Sequence, residues 1–360
     1  MTHPTQIHVV AIAGGSGTRF WPLSRKANPK QLLPICHGRS LIHATFERIK
    51  SLVEPERCWM VVGQDHVQGC RNDVPAIPAQ QILAEPLGKN TAPAVALAAI
   101  QVEKKNPEAI VAILPADHYV EDKQAFCEAL KNAAQIAQND AIVTLGIQPT
   151  RPETGYGYIE PDKTKELDAT GFEVKSFREK PDAALAQNFF ESGDFYWNAG
   201  IFVFKPSTFM SELQAQLPKM HGQMLEIQSA IGEANYEAVL SRNYQNIENI
   251  SIDYGIMENA KDVAVVPVNC GWSDVGSWNS VDAIFERDAQ SNLSQGRYIT
   301  MDANNNVISS NETHVVGVIG LDNIAVVHTK DATLVVPRDR AQDVKKLLSE
   351  IEKKNWSEYL

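Results

Sequence analysis

Cysteine is scarce in this 360-residue chain. Its five residues, Cys36, Cys58, Cys70, Cys127 and Cys270, form no C-x-x-C pair, which argues against a structural zinc site. An odd number at scattered spacing also argues against a disulfide framework and fits reduced, buried thiols. Long apolar runs are missing too. None reaches the roughly 18 residues that a spanning helix needs, so no membrane partner is expected. The opening Met1-Thr2-His3-Pro4 lacks the basic stretch of a secretion signal, and a cytoplasmic location is the expectation. Basic charge is in deficit: 33 Lys and Arg against 44 Asp and Glu leave a formal net charge of −11. A nucleic-acid-binding surface would need a basic footprint, so that partner is not expected either. Room is left for a local pocket that holds a small anion.

What is present is an ordinary folded composition, 44% apolar and 21% charged, in a chain long enough for two domains. Ile7 to Ala13, Trp59 to Gly63, Ile110 to Leu114 and Ala141 to Gly146 read as buried strands. Helical stretches alternate with them, among them the Ala-rich Thr91 to Lys105 and the segment Phe126 to Gln138. Such alternation implies an α/β fold with a mixed, mostly parallel sheet flanked by helices. The polar run Asp288 to Gly296 marks a boundary, giving expected domains of 1–287 and 288–360. Beyond it, short strands near 298–301, 307–308, 315–319, 324–327 and 333–336 read as a small β-roll or short β-helix. An amphipathic helix, about Arg340 to Lys354, closes the chain.

The first strand runs into Gly14-Gly15-Ser16-Gly17-Thr18-Arg19. Glycines directly after a first strand let backbone N–H groups approach an anion. A dinucleotide fingerprint would need a third glycine where Phe20 stands, and a P-loop would need Gly-Lys-Ser/Thr, which does not follow. This disfavours a nicotinamide oxidoreductase. Cations stand instead at both ends of the loop, Arg19 within it and Lys30 after Pro29. Such a pair suits a polyphosphate whose charge must be held while a phosphorus centre is attacked.

The run Ala13 to Arg25 followed by Pro29-Lys30-Gln31 resembles the signature of the sugar-1-phosphate nucleotidyltransferases, in their mannose-1-phosphate guanylyltransferase branch. The resemblance continues through Glu85-Pro86-Leu87-Gly88-Lys89-Asn90-Thr91-Ala92-Pro93, Leu114-Pro115-Ala116-Asp117-His118, Glu179-Lys180-Pro181, Trp197-Asn198-Ala199-Gly200 and Trp272-Ser273-Asp274-Val275-Gly276-Ser277-Trp278. It implies a Rossmann-like nucleotidyltransferase fold and transfer of GMP from GTP to mannose 1-phosphate, with Mg²⁺ as cofactor. It also implies a homodimer.

The resemblance assigns Gly14, Gly15, Gly17, Thr18 and Arg19 to the nucleotide. Arg19 and Lys30 become the triphosphate-side cations, against the alternative of surface ion pairs. Asp117 and Asp274 become the metal ligands and join Arg19 and Lys30 as the catalytic set; an aspartate after a strand is otherwise often a helix N-cap. Glu85 is the candidate for base choice. An ionised carboxylate is acceptor-only, which matches the N1–H and N2–H₂ donors of guanine; the plain alternative is a solvent-facing glutamate before a proline turn. Gly88 and Asn90 would add nucleotide contacts. Lys180 resembles the sugar-phosphate ligand and Glu179 an acceptor for sugar hydroxyls, with Gly157 and Asn198 beside the sugar. Ser251 reads as a helix N-cap, and Asp253 is left open between structure and sugar pocket. Trp272 and Trp278 read as packing residues. Longer members of the family carry an isomerase domain, for which no His-rich constellation is visible here, so transfer without isomerase activity is expected. Other sugar phosphates or bases, and a silent nucleotide-sensing subunit, stay open as alternatives. Keeping Arg19, Lys30, Asp117, Lys180 and Asp274 together argues against the silent reading.

Overall fold

The computed structural model describes residues 6–15, 17–167, 170–311 and 313–360. Ser16 of the glycine loop and the Met1-Thr2-His3-Pro4 terminus lie outside the described residues. The chain forms two compact units. One comprises Met1–Gly14, Arg48–Pro115 and Asp122–Trp272, the other Gly15–Glu47, Ala116–Glu121 and Ser273–Leu360.

The first unit is built on nine strands: β1 Ile7–Ala13, β2 Cys58–Gly63, β3 Ile82–Glu85, β4 Ile110–Pro115, β5 Ile142–Ile147, β6 Tyr158–Leu167, β7 Gly171–Arg178, β8 Tyr196–Phe204 and β9 Val263–Pro267. They lie in the order β3-β2-β1-β4-β8-β5-β9-β7-β6. β3, β2, β1 and β4 are parallel, as are β5 and β9. β8 runs antiparallel between β4 and β5, and β7 and β6 continue antiparallel to one edge. The near-continuous apolar β1 reflects a strand buried in the middle of this sheet.

Helices Thr91–Lys105 and Lys123–Ala137 pack on the sheet. Each starts where a side-chain oxygen takes orphan backbone N–H groups. Asn90 accepts from Thr91 N at 2.9 Å, and Asp122 accepts from Gln124 N and Ala125 N at 3.0 and 2.9 Å. The parallel half matters most for the site. β1 leads into Gly14, and β3 ends at Glu85, paired in register with Gly63. Ligands of open α/β sheets bind beyond such carboxyl ends.

The second unit holds the 3-10 turns Thr18–Phe20 and Lys30–Leu32 together with the C-terminal strands. Leu293–Gln295, Val307–Ser309 and Ile324–His328 stack in parallel as β-helix rungs, as do Arg297–Met301 and Val315–Ile319. The fully buried Asn306 explains one turn of the coil. It donates to Leu321 O at 2.8 Å and accepts from Ile324 N at 3.0 Å. The terminal helix is Val344–Lys353, preceded by a 3-10 stretch Arg338–Asp343. Phe20, Trp21, Leu33, Trp278, Val307, Val344 and Ile351 share one apolar core. All five cysteines are buried and outside any disulfide. Among the described residues no helix is long and apolar enough to cross a membrane.

Candidate active site

In the second unit, the glycine loop turns into Thr18–Phe20 through Gly17, whose φ of +60° is left-handed. A Cβ there would overlap the Lys30 side chain, so glycine lets the loop lie directly against the lysine. Lys30 is only 4% exposed. Its ammonium donates to Asp117 Oδ2 at 2.9 Å and to the main-chain oxygen of Asp274 at 2.7 Å. It also stands 5.7 Å over the ring of Phe20. Phe20 rests on the fully buried Trp278, whose Nε1–H donates to Trp21 O at 3.2 Å. Trp278 is thus a packing residue beneath the lysine.

One ammonium therefore joins the Asp117 carboxylate to the main chain of the other candidate metal ligand, Asp274. Burial alone would raise the Asp117 pKa, but the Lys30 ammonium, and after it His118, outweigh this and hold it below the ordinary carboxylate value. Asp117 caps no helix; the adjacent Tyr119–Val120 is a strand, and Asp122 is the cap. Asp274 folds back so that its Oδ1 accepts from Gly276 N at 3.2 Å. A Cβ on Gly276 would stand 2.5 Å from Asp274 Oδ2. Between them, Val275 holds a φ of +45°, a costly conformation for a β-branched residue. Arg19, on the turn beside Gly17, has a buried Nε with no hydrogen-bond partner among the described residues. Among those residues no group of three or more His, Cys, Asp or Glu is arranged to hold a metal. The available set is two carboxylates. That set fits a hard cation such as Mg²⁺, which commonly takes one or two carboxylates and completes its shell with phosphate oxygens and water.

The first unit carries two further clusters. Glu85 is 4% exposed, not solvent-facing. Its Oε1 accepts from the Tyr244 hydroxyl at 3.3 Å, and a Cβ on Gly14 would be 3.9 Å from its Oε2. Burial pushes its pKa from 4.5 up to about 7, against the Tyr244 hydrogen bond. No cation faces it among the described residues. A carboxylate buried without a cation is costly to keep, which marks the position as a ligand site. Gly88 is exposed, and a Cβ there meets nothing within 4 Å. Asn90 has a left-handed φ of +69° and uses its Oδ1 as a helix cap.

The other cluster gathers Gly157, Glu179, Lys180 and Asn198 with Thr144 and Asp253. Asn198 Oδ1 accepts from Thr144 Oγ1 and Gly200 N, both at 3.0 Å, and its Nδ2 donates to Asp253 Oδ1 at 2.8 Å. Lys180, with φ +42°, donates to Glu179. A Cβ on Gly157 would lie 2.6 Å from Glu179 Oε2 and 3.3 Å from Asn198 Cβ. Burial, then the charge of Glu179, raises the Asp253 pKa from 3.8 to about 6. Asp253 thus belongs to this cluster, on the π-helical turn Asp253–Met257 that Ser251 Oγ caps by accepting from Tyr254 N at 3.3 Å. π-turns often occur at functional sites. Trp272 makes an edge contact with Tyr156.

Sequence reasoning missed Thr144 and Tyr244. Neither sits in a recognisable motif, and each reaches its partner across a long stretch of chain.

The nucleotidyl transferase family profile matches residues 8–291. The chain belongs to the nucleotidyl transferase family. A second profile, described as a MannoseP isomerase/GMP-like beta-helix domain, matches residues 296–351. Family relatives include the mannose-1-phosphate guanylyltransferase of Salmonella montevideo, 37% identical over 98% of this chain and 75% of the relative. The alginate biosynthesis protein AlgA of Pseudomonas aeruginosa is 37% identical over 97% of this chain and 73% of its own length. A crystal structure from Thermus thermophilus, described as a mannose-1-phosphate geranyltransferase, superposes with a TM-score of 0.88. It is 35% identical and covers 97% of this chain and all of that one.

Proposed function

We propose that this member of the family transfers GMP from GTP to α-D-mannose 1-phosphate, giving GDP-mannose and pyrophosphate. The observation that carries the reading is Glu85, buried at the end of β3 with no cation facing it among the described residues. Its ionised carboxylate offers two acceptors to the paired N1–H and N2–H₂ donors of guanine. The names of the relatives support the same activity.

Two anionic reactants leave little covalent work for the protein, so positioning and charge neutralisation dominate. Gly14, Gly15, Gly17 and Thr18 bring backbone N–H groups to the phosphates. Arg19, whose buried Nε lacks a partner among the described residues, holds the triphosphate, and Lys30 stabilises charge that develops at the α-phosphoryl group. Gly88 and Asn90 line the nucleotide. Asp117 and Asp274 would hold Mg²⁺, which when bound supplies a Lewis acid that neutralises phosphate charge. Lys180 takes the sugar phosphate, while Glu179 accepts from sugar hydroxyls. Gly157 keeps the backbone beside the sugar open. Asn198, pinned by Thr144 and Asp253, presents its remaining amide proton to a hydroxyl. The domains are proposed as a catalytic part, 1–287, and a β-rich part, 288–360.

GTP labelled at the α-phosphate, incubated with mannose 1-phosphate and Mg²⁺, should place the label in a sugar nucleotide. GTP labelled at the γ-phosphate should place it in pyrophosphate. Label in free GMP or inorganic phosphate would overturn the assignment.

A further inference from the structure

Tyr244 lies on the helix Tyr236–Asn246 and is completely buried. Its hydroxyl has two acceptors within reach, Glu85 Oε1 at 3.3 Å and the Pro93 main-chain oxygen at 3.4 Å. A hydroxyl has one proton to donate, so it serves one of them at a time. Which one is decided by the state of Glu85. An ionised Glu85 takes the Tyr244 proton. A neutral Glu85 can itself donate to the Tyr244 oxygen, and the Tyr244 proton then turns to Pro93.

The two states present different faces to a base. The ionised carboxylate is acceptor-only and matches guanine, which offers two neighbouring donors. The neutral acid, its one proton donated to the Tyr244 oxygen, leaves the base a single acceptor, which still takes the N6–H₂ donor of adenine but drops one of the two guanine donors. We propose that Tyr244 is a specificity-positioning residue: its hydroxyl holds Glu85 in the acceptor-only state that selects guanine over adenine. The inference rests on the assignment of Glu85 to base recognition.

No charged group competes for control of Glu85 among the described residues. The influences on it are burial and the Tyr244 hydrogen bond, from the helix Tyr236–Asn246; β2 faces it through Gly63 and β1 leads to Gly14 beside it. Tyr244 itself is pushed well above the ordinary tyrosine value, by burial first and then by the Glu85 charge, so it remains a donor. With Glu85 at about 7, the change of state falls near neutral pH.

The test is calorimetric binding of GTP and ATP to the full chain from about pH 5.5 to 8.5, reading the ratio of their dissociation constants. Titration of the nucleotide phosphates is common to both and cancels. In the wild type the preference for GTP should rise about ten-fold between about pH 6 and 8 and then level. Tyr244→Phe removes a hydrogen bond to a charged group, worth about one pKa unit. It should cut the preference about five-fold near pH 7 while leaving it close to wild type at the alkaline end. In a Glu85→Gln background, Tyr244→Phe should leave the ratio unmoved, a double-mutant test of whether the two act as one. A Tyr244→Phe ratio that follows the wild-type curve, or one lowered equally at every pH, overturns the inference. A wild type with no GTP preference even at the alkaline end overturns the Glu85 assignment instead. Neither readout requires catalytic turnover.

Discussion

Lys30 Nζ stands 2.9 Å from Asp117 Oδ2, on a lysine that is 4% exposed. This buried ammonium also reaches the Asp274 main-chain oxygen, so it joins Asp117 to the segment that carries Asp274. Replacing it breaks this junction and strands Asp117 without its principal partner. Lys30→Met should lower kcat by about 10²-fold or more, as for other preorganised charge donors. The sign of the pH effect follows from the depressed Asp117 pKa. That group contributes stability fully above its ordinary value of 3.8 and loses it as pH falls through its lower folded value. Lys30→Met should therefore lose wild-type stability at neutral pH and show a flatter acid limb in thermal melts. An unchanged kcat would detach Lys30 from the reaction.

Glu85 carries the opposite sign. Its pKa is raised from 4.5 to about 7, with burial the first cause. Its contribution to stability is full below 4.5 and lost as pH rises through about 7. Glu85→Gln removes the charge that burial penalises. The variant should melt higher than wild type near pH 8, by up to about 3 kcal/mol of stability, with a much smaller gap near pH 5. It should also lose preference for GTP over ATP. Melting curves at the two pH values and a nucleotide panel check both halves.

Gly276 permits the fold-back of Asp274. A Cβ there would meet Asp274 Oδ2 at 2.5 Å, and the carboxylate must swing away. Gly276→Ala should raise the Mg²⁺ concentration needed for half-maximal activity by about ten-fold, in the range found when groups that orient metal ligands are disturbed. A Mg²⁺ titration at saturating substrates measures this; an unmoved midpoint would exclude Asp274 as a ligand.

Lys180 serves the other substrate. Lys180→Ala should raise KM for the sugar phosphate by about ten-fold or more, as expected for a lost charged hydrogen bond. The KM for GTP should move far less. Equal effects on both constants would place the lysine elsewhere.

Much of this arrangement is legible in the sequence, because its parts announce themselves locally. β1 lies at Ile7–Ala13, as its apolar run implies, and β4 extends its expected run by only Pro115. Continuous apolar runs closed by glycine or proline leave little ambiguity. The later C-terminal rungs are equally plain because Asn and Asp turns separate them, but Leu293–Gln295 is a rung inside the polar run Asp288 to Gly296 that reads as a boundary. β3, in contrast, is invisible in the sequence. Four residues, Ile82 to Glu85, are too few to show a period, so the position of Glu85 at a strand end is hidden although its motif is visible. The terminal helix is expected from about Arg340, but its first turns are 3-10.

The site divides in the same way. Arg19, Lys30, Asp117, Glu85, Lys180 and Asp274 stand in short motifs whose residue types suggest their chemistry. Thr144, Tyr244 and the commitment of Asp253 do not, since their roles come from tertiary contacts. Tyr244 reaches Glu85 across 159 positions, and no local pattern records such a pairing.

The central claim is guanylyl transfer to mannose 1-phosphate. It is tested most directly by pyrophosphate release with Mg²⁺, crossing GTP, ATP, UTP and dTTP against mannose, glucose and galactose 1-phosphates, with a chelator control. The account predicts fast turnover with GTP and mannose 1-phosphate, abolished by the chelator. Faster turnover with another pair, or none with any pair despite measurable GTP binding, would contradict it.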